Sequence, residues 1–287
     1  MKITNVNNLP QSIVNAVTFS EHRKGSGYSA TEILKPVKII HLSRRHDSEL
    51  IEDCSNRIWA LLGSAVHSVL ERGADKNSLQ EQFLISKVLG VELSGSPDLL
   101  DNDGNLSDYK ITSAWSVVYG SRTKEWENQL NIYIWLFAQH GFEVKKANII
   151  CIFRDWSELK AKSSDNYPVS TVISLPVKIW TTEKQLSFIE ERINNIEFYK
   201  DMPDDKLPLC SAEEMWEKDK VFAVKKTGRK SAIKLFNSMA EAEANMLGLK
   251  GDNIEIRNGE RTRCEKYCSV NKFCEQYKLY KGEKDNA

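Results

Sequence analysis

The stretch Gly95-Ser96-Pro97-Asp98-Leu99-Leu100-Asp101-Asn102-Asp103-Gly104-Asn105-Leu106-Ser107-Asp108-Tyr109-Lys110-Ile111 places a tight turn between two short runs. Asn102-Asp103-Gly104-Asn105 is built from residues that accept hairpin-turn backbone angles. Pro97–Asp101 and Leu106–Ile111 are therefore expected to be neighbouring antiparallel strands. Residues two apart on a strand share a face, so Asp108 and Lys110 point the same way. Asp98 lies across the turn, close enough to join them. Two carboxylates beside an ammonium suit a divalent cation, since Mg2+ and Mn2+ prefer oxygen ligands. Taken singly, each of these residues reads equally well as an exposed turn charge.

Outward from the hairpin, the pattern alternates between helix and strand. On the N-terminal side, Asp47–Arg72 has apolar residues at helical period, from Leu50 and Cys54 to Val69 and Leu70. His67 sits near its end, where a lone histidine is more often a surface or capping group than a ligand. Gln82–Lys87 and Val88–Ser94 are expected as a hairpin or one bent strand. Residues 1–28 are expected as loop. Ser29 to Glu32 forms a capping-box pattern opening a short helix that ends at Pro36. The basic segment 23–46 reads as a solvated face rather than a phosphate-binding arm.

On the C-terminal side, Arg122–His140 is expected as a helix with Trp126, Leu130, Tyr133, Ile134 and Phe137 on one face, closed by Gly141. Ala147–Arg154 reads as a strand buried on both faces. Next come a strand Val169–Leu175 stopped by Pro176, an amphipathic helix Thr182–Tyr199 and a Pro203–Pro208 linker. Val221–Lys225 and Ile233–Phe236 are expected to pair across Thr227-Gly228. A second capping box at Ser238–Glu241 starts a helix to about Leu247, and Ile254–Arg257 is a further strand. The order helix, antiparallel strands, helix, strand describes an α/β core with a mixed sheet. The expected organisation is 1–46 as an N-terminal arm and short helix, 47–200 as the core, and 201–287 as a C-terminal region packed on it.

Composition narrows the class. The 287 residues carry 40 basic and 40 acidic side chains, so any nucleic-acid surface must be a local patch. With 14 glycines, 7 prolines and 9% aromatics, the chain is neither collagen-like nor disordered. No apolar run is long enough to span a bilayer, and the N-terminus lacks a signal-peptide pattern, which points to the cytoplasm. Six cysteines are too few for a disulfide scaffold of this size. Cys151 and Cys54 fall in apolar patterns and read as packing residues. Cys264, Cys268 and Cys274 crowd into eleven residues, as thiols that hold a metal or an iron–sulfur cluster do. There is no G-x-x-x-x-G-K-[ST] phosphate loop.

Pro97-Asp98, nine residues, then Asp108-Tyr109-Lys110 resembles the signature of the PD-(D/E)XK nuclease superfamily. Gly63-Ser64-Ala65-Val66-His67, Gly95-Ser96-Pro97-Asp98 and Gln129-Leu130-Asn131-Ile132-Tyr133 are similar to motifs of its RecB-like branch, in the same order, over roughly residues 60–135. The resemblance implies a restriction-endonuclease-like α/β core with a mixed central sheet flanked by helices. It also implies a metal-dependent DNA exonuclease that acts in end processing or recombination. His67, Asp98, Asp108 and the carbonyl of Tyr109 would bind one or two Mg2+ or Mn2+. Lys110 would position and help activate a water and steady charge on the phosphate. Gln129 and Tyr133, four apart and so on one helix face, would support the site and contact the strand, with core packing the equal alternative for Tyr133. Cleavage of a phosphodiester needs a deprotonated water and neutralisation of the crowded phosphate, and metal ions supply both. The family often has an acid near Glu81, which reads either as a group supporting the ligands or, by preference, as a surface charge. Trp115, Tyr119 and Trp126 follow the site, where aromatics stack bases or, more commonly, pack.

RecB-like relatives often tie down the C-terminus with a 4Fe–4S cluster, and Cys264-x3-Cys268-x5-Cys274 is similar to three of its ligands. The fourth departs from the pattern: Cys54 and Cys210 compete, and the resemblance to phage-borne members favours Cys210. Four thiolates suit Zn2+ equally well. Between these ligands, Lys218–Lys234 holds seven cations against Asp219, a candidate phosphate-backbone surface or a solvated hairpin. Linear DNA is the expected partner, alongside recombination or replication proteins in a phage-infected cytoplasm, with no membrane. The competing reading is a non-catalytic nucleic-acid-binding protein with a zinc or iron–sulfur module.

Overall fold

The computed structural model describes residues 1–19 and 25–285, with side chains to residue 282. Arg23 and Lys24 of the basic segment lie outside the described residues. The fold is mixed α/β, with mixed sheets flanked by helices. The described residues form two compact units, 1–40 with 47–201 and 41–46 with 202–287.

In the first unit the hairpin around Asn102–Asn105 is present. Leu99–Leu100 pairs antiparallel with Asn105–Thr112 in the register Leu99↔Ser107. Gly104 takes a positive φ of 82°, and Asp101 accepts the amide hydrogens of both Asp103 and Asn105. Asn105–Thr112 also runs parallel to Lys146–Phe153, which pairs antiparallel with Val172–Val177. With Leu79–Gln80 at the far edge this makes a mixed five-stranded sheet.

The Leu84–Val88 and Val91–Gly95 hairpin, by contrast, belongs to a separate three-stranded sheet with Tyr28–Ser29. Its turn, Leu89-Gly90, has positive φ at both residues, the conformation that matches strand twist. The segment Gly95-Ser96-Pro97-Asp98 is thus the crossing from one sheet to the other, not part of a single continuous sheet. Gly95 has a packing reason to be glycine. A Cβ there would stand 2.8 Å from the Tyr133 ring and 2.9 Å from Leu136.

Long-range pairing overrides local periodicity in several places. Residues 1–28 contain a strand, Lys2–Thr4, and a helix, Gln11–Thr18, rather than loop alone. Lys2–Thr4 pairs in parallel with Ile51–Asp53, and the Asp53 carboxylate accepts hydrogen bonds from Val6, Thr4 and Ser55. That strand and the short 3-10 turn after it take up the start of the expected Asp47–Arg72 helix, which begins only at Ile58 and runs to Gly73. Ser29 caps Ala30–Ile33 by accepting from the Glu32 amide. Pro36 then precedes an unanticipated helix, Val37–Arg45. In that helix Lys38 is buried and Arg45 pairs with Asp204 at 2.6 Å, so this is not a solvated face.

The Thr123–Gln139 helix buries Trp126 and every residue from Gln129 to Phe137, where a single apolar face was expected. It is a central helix, covered by Thr182–Phe198, Leu84–Val88 and Ala30–Ile33. Its buried Asn131 is satisfied: the side chain donates to Glu127 and Lys178 carbonyls and accepts from the Trp180 amide and the Gln185 side chain. Lys146–Phe153 is not buried on both faces, because Ala147, Ile149, Cys151 and Phe153 are buried while Asn148, Ile150 and Ile152 are half-buried and Lys146 is exposed. Pro176 lies inside Val172–Val177 instead of stopping it, at the sheet edge where a missing N–H is tolerated.

In the second unit, Val221–Lys225 is the middle strand between Lys234–Phe236 and Asn253–Arg257. Val224, Phe236 and Ala242 of the Met239–Met246 helix form its small core. Asp204 accepts from Arg45 and meets His46 Nε2 at 2.8 Å, and the His46 ring stacks on Phe273 at 3.9 Å.

Candidate functional site

The hairpin and the Ile58–Gly73 helix bring three predicted residues together, His67, Asp98 and Tyr109. His67 belongs to the half-buried side of the helix with Gly63, Val66 and Leu70, and its ring meets Tyr109 edge-on. Gly63 has open space around it, so sterics give no reason for glycine there. His67 Nδ1 lies 3.3 Å from Asp98 Oδ1 and 3.5 Å from Glu81 Oε1, and Nε2 is 3.2 Å from the Tyr109 carbonyl oxygen. Asp98 Oδ2 accepts the Tyr109 N–H at 2.6 Å, which locks the carboxylate onto the neighbouring strand. Donor atoms of His67, Glu81 and Asp98 all fall within 4.8 Å of one another, at the mouth of a small cleft also lined by Gln80 and Tyr109.

Glu81 is therefore a site residue, not the surface charge its sequence context indicated. It directly follows the Leu79–Gln80 strand, which pairs with Leu99–Leu100 beside Asp98. Its backbone has a positive φ of 45°, and its N–H donates to the Asp98 carbonyl. A polar acid just past a two-residue edge strand has no periodicity to mark it.

Asp108 stands outside that trio. Its side chain is almost wholly buried, and Lys110 Nζ lies 2.6 Å from Oδ2. Burial pushes the Asp108 carboxyl up, against the pull of the Lys110 ammonium. Lys110 also donates to Gln129 Oε1 at 3.0 Å, and Gln129 Nε2 donates to the Tyr133 hydroxyl at 2.9 Å. Gln129 and Tyr133 are both buried, and burial raises the Tyr133 phenol well above its ordinary value. The side chains from Asp108 through Lys110 and Gln129 to Tyr133 form one chain of contacts that fixes the ammonium in place. Gly95 lets the Tyr133 end of it pack.

These residues fit a divalent cation. Three nitrogen and oxygen donors converge, and the buried Asp108 Oδ2 has no hydrogen-bond partner among the described residues, with only the Lys110 ion pair beside it. The charges of both Asp98 and His67 act on Asp108, so the trio and the pair are one electrostatic unit.

The two carboxylate neighbours of His67 favour its protonated form. Hydrogen bonding to Asp98 and then Glu81 raises the His67 imidazole to about 10. A metal-bound imidazole is neutral, so cation binding at this trio displaces that proton. Titration with Mn2+ near neutral pH is expected to release about one proton, with apparent affinity climbing about tenfold per pH unit until His67 loses its proton. Calorimetry in two buffers of different ionisation enthalpy measures the release, and identical heats would mean that binding displaces no proton from His67. The stability sign is the reverse. The charged ring's contribution to the metal-free fold is complete below its unfolded value near 6.5 and fades as pH rises through about 10.

The thiols divide between the units. Cys54 and Cys151 are buried in the first, and Cys54 Sγ donates to Asn5 Oδ1. Cys210, Cys264, Cys268 and Cys274 all belong to the second. Burial, followed by Cys268 and Cys274, pushes the Cys264 thiol up to about 11, and burial also raises Cys268. Two side-chain amides hold the surrounding backbone. Gln276 clamps Cys210, accepting its N–H at 2.8 Å and donating to its carbonyl at 2.9 Å, while Asn271 donates to the Cys264 carbonyl. These thiols are close in sequence, but among the described residues no three of their sulfurs lie within 4.8 Å of one another.

In the Lys218–Lys234 segment, Lys218 pairs with Glu260 and Lys225 with Glu255. Lys220, Lys226, Arg229, Lys230 and Lys234 are exposed. Among the described residues no helix is long and apolar enough to cross a membrane.

The chain matches no protein-family profile and no curated protein sequence. Among solved structures it is similar to the protein SSO0001, at 15% identity and a TM-score of 0.44 over 67% of this chain and 86% of the other. An alkaline exonuclease from Laribacter hongkongensis is 14% identical, with a TM-score of 0.34 over 60% of this chain and 90% of that one. A phage-related exonuclease from Haemophilus somnus 129PT is 10% identical, with a TM-score of 0.31 over 67% and 80% of the respective chains.

Proposed function

We propose that this protein is a divalent-metal-dependent DNA exonuclease that hydrolyses phosphodiester bonds during end processing or recombination. The observation that carries the reading is the convergence of His67, Glu81 and Asp98 beside the Asp108–Lys110 pair. In the proposal His67, Asp98 and Asp108, with the Tyr109 carbonyl and with Glu81 added, hold one or two Mg2+ or Mn2+. When bound, the ion lowers the pKa of a coordinated water and offsets charge on the scissile phosphate.

The chain's own part is positioning. Lys110 presents an ammonium whose direction is set by Asp108 on one side and Gln129 on the other. That cation orients the attacking water and steadies the charge growing on the phosphate oxygens. Asp98, bonded to the Tyr109 amide and to His67, keeps helix and hairpin at a constant separation. Tyr133 stays protonated and supports Gln129, so its role is structural. In the second unit, Cys210, Cys264, Cys268 and Cys274 hold a 4Fe–4S cluster, with Zn2+ the alternative ion, and the Gln276 clamp supports Cys210 as the fourth ligand.

End-labelled linear and closed-circular DNA, each with Mg2+, Mn2+ or a chelator, test the reading. The expected result is release of nucleotides from ends of linear DNA with metal alone, the circle remaining intact. Cutting of the circle would replace exonuclease by endonuclease. DNA binding without cleavage at saturating metal would replace it by the non-catalytic alternative.

A further inference from the structure

Three aromatic residues follow the site, and the fold treats them differently. Trp126 is buried in the central helix, a packing residue. Trp115 is 38% exposed and Tyr119 74% exposed, yet their rings stack on each other with centroids 5.7 Å apart and planes 19° from parallel. Both lie on or just after the short Ala114–Val118 helix, which starts two residues past the end of the site strand.

The stack is rigidly mounted. Ser113 and the Ala114 amide both donate to the Asp155 carboxylate, and Tyr167, edge-on to Trp115, donates its hydroxyl to the Asp155 carbonyl. One cation touches the stack and a second lies at the end of the neighbouring strand. The exposed Lys160 ammonium sits 4.9 Å from the Trp115 ring centre. The Arg154 guanidinium lies 4.4 Å over the ring of Trp59, itself 59% exposed. Arg154 donates its amide hydrogen to Thr112, so this group lies at the carboxyl ends of the parallel strands Asn105–Thr112 and Lys146–Phe153. Open α/β sheets place ligands at that end.

We infer that the exposed Trp115–Tyr119 stack is a platform for unpaired DNA bases, with Lys160 and Arg154 serving the adjoining phosphates. The choice of DNA rests on the nuclease reading; the base-stacking chemistry rests on the rings and cations. Water-exposed flat rings offer a face to any base, and flanking ammonium and guanidinium groups complement the backbone that comes with it. Lys110 and Trp115 are five residues apart, at most roughly 18 Å of chain. A strand therefore reaches from the site to the platform within about five nucleotides, at 3.4 Å per nucleotide.

The test compares a short oligo-dT with an abasic deoxyribose-phosphate oligomer of equal length and charge, measured by fluorescence anisotropy in chelator with the full-length protein. The wild type is expected to bind oligo-dT roughly 5- to 100-fold more tightly, the range for stacking one base. Tyr119→Ala removes a side chain that is mostly in water, so folding is preserved, and it is expected to close most of that gap. Trp115→Leu serves as the second variant, with circular dichroism checking its fold. Equal binding of the two oligomers, or a gap unchanged in both variants, overturns the platform. Because the Mg2+ or Mn2+ that cleavage requires is withheld, the result is independent of cleavage. Base-dependent binding with no nuclease activity would keep the platform and remove the nuclease reading, and cleavage with no base dependence would do the opposite.

Discussion

Lys110→Met is expected to lower the rate of metal-dependent DNA cleavage by roughly 10²- to 10³-fold, the loss seen when one preorganised charge-stabilising group is removed. Methionine keeps the length of the stem and removes the ammonium, and with it the hydrogen bond to Gln129. The substitution has a second consequence, because Lys110 neutralises a buried carboxylate. Asp108 has about 1% of its surface in water, and among the described residues Oδ2 has no partner besides the Lys110 ammonium. Removing one partner of such a pair costs about 3–5 kcal/mol, since the remaining charge is left uncompensated.

Asp108 is already pushed up by burial, and without Lys110 it rises further. A carboxyl whose folded value exceeds its unfolded value takes up a proton on folding, so stability falls as pH rises through that window. The Lys110→Met protein is thus expected to melt lower than wild type, with the deficit larger at pH 8 than at pH 5. The double variant Asp108→Asn, Lys110→Met separates the two effects, recovering most of the melting temperature while remaining inactive. Wild-type cleavage by either protein would remove Lys110 from the chemistry. Wild-type melting of the single variant would mean that the pair contributes nothing to the fold.

Cys274→Ser is expected to strip the second unit of its metal. Cys274 is buried, at the start of the C-terminal helix, two residues before the glutamine that clamps Cys210. The three-stranded sheet of this unit has a core of only Val224, Phe236 and Ala242 with partly buried neighbours. Small cores of this kind depend on staples, and structural thiolate sites contribute on the order of 10 kcal/mol of folding free energy. Limited proteolysis of the full chain is expected to cleave the Cys274→Ser protein within 202–287, while 47–201 resists.

Metal analysis of the wild type decides the identity of the group. Iron with acid-labile sulfide supports the cluster, and stoichiometric zinc replaces it. Cys54→Ala is expected to leave metal content unchanged, as Cys54 is occupied with Asn5 in the other unit. Wild-type metal content in Cys274→Ser would overturn the ligand assignment.

Some of this was written in local sequence. The turn residues Asn102–Asn105 specify the hairpin through backbone preferences of a few consecutive residues. The spacing of two puts Asp108 and Lys110 on one face, and the spacing of four puts Gln129 and Tyr133 on one helix side. Each of these relations depends only on the repeat of a regular element, so a single segment carries it whole.

What tertiary structure decided is which faces are covered, and by what. The strand Ile51–Asp53 exists because Lys2–Thr4 pairs with it, and that pairing holds the His67 helix back to Ile58. Glu81 joined the site because an edge strand set it beside Asp98, and Asp108 became a buried partner of Lys110, outside the trio with His67. Trp126 went inside while Trp115 and Tyr119 stayed in water, though all three are aromatic and within a dozen residues. The physical reason is common to all of these. Local periodicity orients a side chain relative to its own element, whereas burial, pKa and neighbours come from contacts made by segments tens of residues away.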